Sequence, residues 1–209
     1  MKRLAIGYLV VGAVCLVMTG CGRSSVPPPA PGSVAGGPGV AVPTPAEKPV
    51  APEKNPPGDI PDTQVFVEYV SAAGGYQLKA PEGWARQTDR ADVTFTDKLD
   101  GLSVTITSQP TAPSVVGVTK NRAAALKMAA GAAQIKGVKD LKLPGGAAIL
   151  LVYQSNSAPD PVTGKQVRLD NNEYLFYKQG KLATLRLWAP VGADNVDQWK
   201  LMSESFRWK

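Results

Sequence analysis

An α+β fold built on a mainly antiparallel β-sheet is expected for residues 63–209. Short β-rich runs follow one another through brief turns, which antiparallel neighbours allow and parallel crossovers do not. Two helical stretches, near 119–135 and 194–206, stand far apart in sequence, so each can cover one face of the sheet. A body of this length also buries a hydrophobic core without disulfides.

Residues 1–20 read as a signal peptide. Lys2 and Arg3 form a charged start, and Leu4 to Met18 is apolar with small residues interspersed. Met18-Thr19-Gly20-Cys21 then resembles the lipobox, in which a diacylglycerol is joined to the Cys before cleavage. Leucine is commoner than methionine at the position of Met18. The competing reading, an uncleaved transmembrane helix, is at the lower limit of length for a hydrocarbon core of about 30 Å. Either way the chain after residue 21 lies outside the cytoplasmic membrane. The expected location is the cell membrane, lipid-anchored on its extracytoplasmic face, or the outer membrane in a Gram-negative source. Cys15 leaves with the signal peptide, so acylation of Cys21 leaves no free thiol.

Residues 21–62 are expected to be a lipidated, proline-rich tether. Twelve of the nineteen prolines fall between residues 24 and 62, among Gly, Ala, Ser and Val and without aromatic residues. Proline withholds backbone donors, and polyproline geometry needs no tertiary contact, so this segment cannot build a core. At about 3.1 Å per residue its contour approaches roughly 120 Å.

In the body, Thr63 to Val70 alternates as a strand, and Gly74-Gly75 turns the chain into the strand Tyr76–Lys79. Pro81-Glu82-Gly83 ends that strand and delivers Trp84. Val93–Thr96 and Leu102–Thr107 read as a hairpin whose connection holds the turn-forming pair Asp100-Gly101. Thr119 to Ile135 is alanine-rich, free of proline and expected to be helical, with Gly137 ending it. Ala147–Gln154 is a continuous apolar run, and Ser157–Lys165 a polar loop. The long strand Gln166–Lys178 is interrupted by Asp170-Asn171-Asn172-Glu173, where the slip in apolar phase suggests a bulge or partial break. After the turn at Gln179-Gly180 comes the strand Lys181–Ala189. The final helix, Asp194–Phe206, is capped by Asp194 or Asn195 and sets Val196, Trp199 and Met202 or Ser203 at helical spacing.

The chain contains no histidine. That removes the usual general base, the usual triad partner and the commonest transition-metal ligand. Carboxylate-only chemistry survives, but the thirteen Asp and Glu of the body form no recognisable pair. The chain is expected not to be an enzyme, with no cofactor and no metal site.

Gly75-Tyr76-Gln77-Leu78 with Pro81-x-Gly83-Trp84, then Asp92-Val93-Thr94-Phe95, Leu102-Ser103-Val104, Gly180-Lys181-Leu182-x-Thr184-Leu185 and Ser205-Phe206-Arg207, occur in the order seen in PsbP-like proteins. The chain resembles that family over about residues 66–208. The resemblance implies an α/β/α sandwich around an antiparallel sheet, in a family of bacterial and cyanobacterial lipoproteins and of the extrinsic subunit of photosystem II. Members bind quite different partners, so no partner follows from the fold. Metal-site proposals in the family involve histidine, so none is carried over.

Several residues compete for functional roles. Arg168, Asp170, Asn172 and Glu173 are the candidate partner surface, because polar residues interrupt an otherwise apolar strand; a bulge at a wet edge explains the same letters. Lys120, Lys127, Lys136, Lys139 and Lys142, with Arg122, face only Asp140 in their stretch of sequence. On one helix and its exit they are candidates for contact with anionic lipid, an acidic envelope polymer or an acidic protein, against a simple solvated face on which Arg122 points elsewhere. Trp84, Trp188, Trp199 and Trp208 are expected to pack in the core rather than form a sugar platform. Asp170-x-Asn172 and the loop Asp160–Gly164 lack the spacing of a calcium site and read as solvated turns.

The function expected from these observations is that of a membrane-anchored lipoprotein whose body is a non-catalytic binding or accessory module. Its partners are the membrane, through the lipid, and a protein or envelope polymer, not nucleic acid. In a phototrophic source the resemblance implies an accessory or assembly role at photosystem II. The alternatives are a small-ligand-binding lipoprotein with a single-domain pocket and, behind it, a carboxylate-based envelope enzyme.

Overall fold

The computed structural model describes residues 47–54, 57–129 and 131–209. Cys21, the lipobox residues Met18, Thr19 and Gly20, and the tether before residue 47 lie outside the described residues. Among the described residues no helix is long and apolar enough to cross a membrane.

The strands are β1 (Phe66–Ser71), β2 (Tyr76–Pro81), β3 (Ala85–Asp89), β4 (Asp92–Asp97), β5 (Asp100–Ser108), β6 (Gln134–Leu143), β7 (Gly146–Asn156), β8 (Arg168–Lys178), β9 (Lys181–Pro190) and β10 (Arg207–Trp208). They form a seven-stranded sheet, ordered β3-β4-β5-β9-β8-β7-β6, and a three-stranded one, ordered β1-β2-β10. Every pairing is antiparallel. A helical segment runs through α1 (Val115–Gly117), a π-helical stretch (Val118–Ala123) and α2 (Ala124–Met128); α3 (Val196–Ser205) comes near the C-terminus. The α+β class with a mainly antiparallel sheet is thus the observed one.

Two cores divide the large sheet by face. On one side, Leu102, Val104, Leu150, Phe176, Leu185 and Leu187 pack with Tyr76, Leu78 and Ala80 of the small sheet and with Met202 and Phe206 from α3 and its exit. With α3 on this side and the helical segment on the other, the large sheet lies between two helix-bearing layers, and the small sheet joins α3 in its layer. On the other side, Ile149, Leu151, Tyr153 and Leu175 receive Val118 and Ala123 from the helical segment. These two buried residues are five apart, the spacing of a π-helical turn, and the wider turn brings both onto the sheet.

Several sequence expectations are corrected. The first helix stops at Met128: Ala129 is extended, and positive φ at Gly131 (99°) and Ala132 (45°) turns the chain back. From Gln134 the chain is strand β6, which has no alanine: Ile135, Val138, Leu141 and Leu143 continue the apolar rows of β7, and that pairing claims Gln134 and Ile135 from the end of the expected helix. Gly137 sits at a bulge in that strand rather than at a helix end. The β4–β5 turn is Lys98-Leu99, with Lys98 at φ 50°, so Asp100 and Gly101 belong to β5. Strand β8 has no bulge: its register with β7 and β9 is unbroken from Leu169 to Phe176. Asn195 is the N-cap residue of α3, its carbonyl accepting from Trp199 N at 2.8 Å, but its side chain makes no cap bond, and Val196 is exposed.

The expected tether also contracts. Glu47, Lys48, Val50 and Glu53, and then Gly58 to Asp62, bond to the body, because a segment too proline-rich to build a core can still lie on one. Ile60 is buried among the residues of the first core, and its N–H donates to Asn195 Oδ1 at 2.7 Å. Asn195 Nδ2 donates in turn to Gly58 O at 2.7 Å. Farther upstream, Glu47 accepts from Gly131 N, Asn156 Nδ2 and Gln166 Nε2 at 2.6 to 2.8 Å. The side-chain bond from Asn156, followed by those from Gly131 and Gln166, holds the Glu47 carboxyl below its usual range.

Candidate functional site

The helical segment covers only part of its face of the sheet, and the register shows what it leaves open. One row across the strands reads Gly101, Trp188, Asn171, Tyr153; the next reads Ser103, Arg186, Glu173, Leu151; the third reads Thr105, Thr184, Leu175, Ile149. Each row is apolar at β7, beneath the helical segment, and polar or small at β5. The face therefore changes character across its width, and also along β8, from Asn171 and Glu173 to Leu175, and along β9, from Arg186 to Leu182.

The polar side chains at the boundary fix one another. Glu173, 2% exposed, accepts from the Tyr153 hydroxyl at 2.9 Å and pairs with Arg122 of the π-helical stretch. Burial, and next the charge of Glu173, pushes the Tyr153 hydroxyl well above its ordinary pKa, so it remains a donor. Asn171, 0% exposed, donates to Ser155 Oγ at 3.1 Å and accepts from Arg186 Nε and Nη2 at 3.0 and 2.6 Å. The Arg186 guanidinium lies 4.8 Å from the centre of the Trp188 ring, a cation–π contact. Gly101 makes room beneath, since a Cβ there would overlap the indole.

Above this floor is a cavity of about 760 Å³, within the usual range for small-molecule sites. Tyr153, Ser155, Leu169, Arg186 and Trp188 form its base, Leu126 and Ala133 one wall, Lys98 and Leu99 another, and Glu53 with the 157–165 loop the rest. A second pocket of about 260 Å³ shares Arg186 and reaches Ser103, Thr105, Thr184, Arg122 and Glu173. Lys165 pairs with Glu53, and Asp160 is held within its own turn by Thr163 and Val162. The loop is an exposed turn of the expected kind, and among the described residues no group of three acidic or thiol side chains is placed to hold a metal ion.

The structure separates the residues singled out as a partner surface, because neighbours along a strand point to opposite faces. Glu173 lines the smaller pocket that shares Arg186 with the cavity. Arg168 is 3% exposed and ties the sheet end together, its Nη1 donating to Ala132 O at 3.0 Å and Asn156 Oδ1 at 2.9 Å. Asp170 and Asn172, half-buried, line a groove of about 450 Å³ beside α3. These four are therefore not one exposed patch, and β8 is a central strand rather than a wet edge.

Lys120 and Lys127 are exposed on the helical segment, while Lys136, Lys139 and Lys142 are exposed on edge strand β6 instead of a helix exit. Lys139 pairs in register with Leu150 and Lys142 with Ala147, which puts those two lysines on opposite faces of the sheet. Arg122 points inward, as its separation from the lysine face suggested. Trp84, Trp199 and Trp208 pack against the first core as expected, whereas Trp188 lies in the cavity. Ser103, Asn171, Thr184 and Arg186 had no recognisable motif. Their common face exists only through cross-strand register.

The chain is similar to the solution structure of cyanobacterial PsbP from Synechocystis sp. PCC 6803, with 19% identity and a TM-score of 0.48 over 73% of this chain and 98% of that one. It is also similar to a crystal structure from Bacteroides thetaiotaomicron, with 8% identity and a TM-score of 0.43 over 68% of this chain and 48% of that one. A Pseudomonas aeruginosa protein of unknown function is similar at 18% identity, with a TM-score of 0.41 over 66% of this chain and 94% of that one. No family model and no curated protein sequence matches the chain. The likenesses concern backbone architecture, and at these TM-scores none carries an argument about activity, partner or ligand.

Proposed function

We propose that this chain is a lipoprotein anchored through Cys21 whose body is a non-catalytic binding module, and that it takes hold of its target through the cavity over Trp188 and Arg186. The observation that carries the reading is a floor held in place before any ligand arrives. Asn171 and Trp188 position Arg186, and Tyr153 and Arg122 occupy the oxygens of Glu173, so little ordering remains to oppose binding. The same bonding weighs against the enzyme alternative, since Glu173 has no free oxygen aimed at a substrate. Asp100, the carboxyl most displaced in pKa, lies under Gly58 and Pro190 rather than in the cavity lining. A membrane complex or envelope component remains the partner class, and the size of the cavity favours a small ligand as the second reading.

The test has two arms. Intact mass should show acyl chains on the parent protein and none on Cys21→Ser; an unmodified mature Cys21 overturns the anchor. A benzophenone amino acid at Thr163, beside the cavity, should give a discrete adduct in native membranes that is lost on Gly101→Ala, while the same group at Thr88 on β3 should give none. Equal adducts at both positions overturn the cavity as the binding site.

A further inference from the structure

Among the charged side chains of the two pockets, Arg186 differs in how it is satisfied. Arg122 is neutralised by Glu173 and Lys165 by Glu53, whereas Arg186 on the floor and Lys98 on the exposed β4–β5 turn have no carboxylate within ion-pair distance among the described residues. The polar partner of Arg186 is the neutral carbonyl of Asn171, reached by Nε and Nη2. That bonding fixes the plane of the guanidinium and leaves Nη1 without a hydrogen-bond partner among the described residues, at a point where both pockets meet. A planar guanidinium so placed suits bidentate recognition of an oxyanion. Ser103, its register partner on β5, and Ser155 on the floor add hydroxyl donors nearby.

The surroundings define the rest of the ligand. Leu126, Ala133, Leu169 and the half-buried Trp188 present apolar surface beside the charge. Beside Arg186 a cation would find no unengaged carboxylate, because Glu173 is held by Tyr153 and Arg122; Glu53 and Asp160, elsewhere in the lining, are each held through one oxygen, by Lys165 and by the 160–163 turn. A neutral sugar would leave the positive charge of Arg186 unmatched.

We infer that the cavity binds a small organic anion with a flat apolar body, its carboxylate, sulfonate or phosphate group on Arg186 and its ring beside Trp188. This rests on the cavity being the binding site. The probes that test it are naphthoate and its uncharged isostere naphthamide, titrated calorimetrically into the full lipidated chain in detergent, with a detergent blank subtracted. Naphthoate should bind at least tenfold more tightly than naphthamide and should weaken as salt is raised. Arg186→Met should abolish that preference while keeping naphthamide binding. If Arg186→Met does not fold, Arg186→Gln, whose amide can still donate to Asn171, takes its place. Gly101→Ala, which displaces the indole, should weaken both probes. Equal affinity for the two probes, or naphthoate binding unaltered by loss of the guanidinium, overturns the anionic class and leaves the cavity standing. Binding of neither probe overturns both.

Discussion

On the face of the large sheet covered by α3 and the small sheet, Phe176 stacks on Phe206 with ring centroids 4.3 Å apart, and Tyr76 lies 5.8 Å from Phe206 on its way to Tyr69. On the opposite face the same strands carry Ser103, Thr105, Arg186 and Asn171 beside Leu151 and Leu175. The first face is filled by interlocking aromatic rings, and its specificity comes from shape. The second is organised by hydrogen bonds and charge, so removing one partner leaves another buried and unsatisfied. Stability is therefore concentrated on one side of the sheet and binding chemistry on the other.

The largest effect is expected on the aromatic face. Phe206→Ala removes a ring that is 0% exposed and touches Tyr76, Phe176 and Trp208, and should cost about 3 to 5 kcal/mol in urea unfolding. A loss below about 1 kcal/mol would mean that this face repacks and is not the stabilising one.

On the polar face, Arg122→Ala leaves the Glu173 carboxylate buried without its cation. Because the Arg122 side chain is 39% exposed, solvent softens the loss, and about 2 kcal/mol is expected rather than the larger cost of breaking a fully buried pair. Adding Glu173→Gln should restore most of it, because the neutral amide can still accept from Tyr153. If the double variant is no better than the single, the Arg122 contribution is packing rather than charge.

A smaller effect arises where the aromatic face contains a polar exception. Asp100, 5% exposed, has Oδ1 without a hydrogen-bond partner among the described residues and lies beneath Gly58 and Pro190. Burial first, then Asp97 and Asp59, pushes its carboxyl up to about 7 from 3.8, with Lys98 acting in the opposite sense. The folded protein keeps this proton over a pH range in which the unfolded chain has lost it. The resulting stability is fully present below about pH 4, declines as the pH rises, and is lost above about pH 7. Asp100→Asn should therefore raise the unfolding free energy at about pH 8 by roughly 1 to 2 kcal/mol, moving the midpoint up with it, and leave both little altered at about pH 4. A midpoint unchanged at the higher pH would show that the segment around Gly58 opens to hydrate the carboxylate.

The strands whose patterning is local are legible in the amino-acid order alone. β2, β4, β5, β7, β8 and β9 fall within a few residues of their expected positions, as does α3, because alternation, Gly-containing turns and a helical apolar spacing are properties of neighbouring residues. Tertiary structure decided what depends on a distant partner. Residues 134–143 became a strand because β7 offered an apolar row to complete; residues 115–128 closed as a mixed α and π segment because Val118 and Ala123 both had to reach the sheet. Ile60 was ordered by Asn195, which lies 135 residues farther along the chain. The candidate site is the extreme case. Gly101, Trp188, Asn171 and Tyr153 become a single row only when β5, β9, β8 and β7 are set side by side in one register, and no local pattern specifies that register.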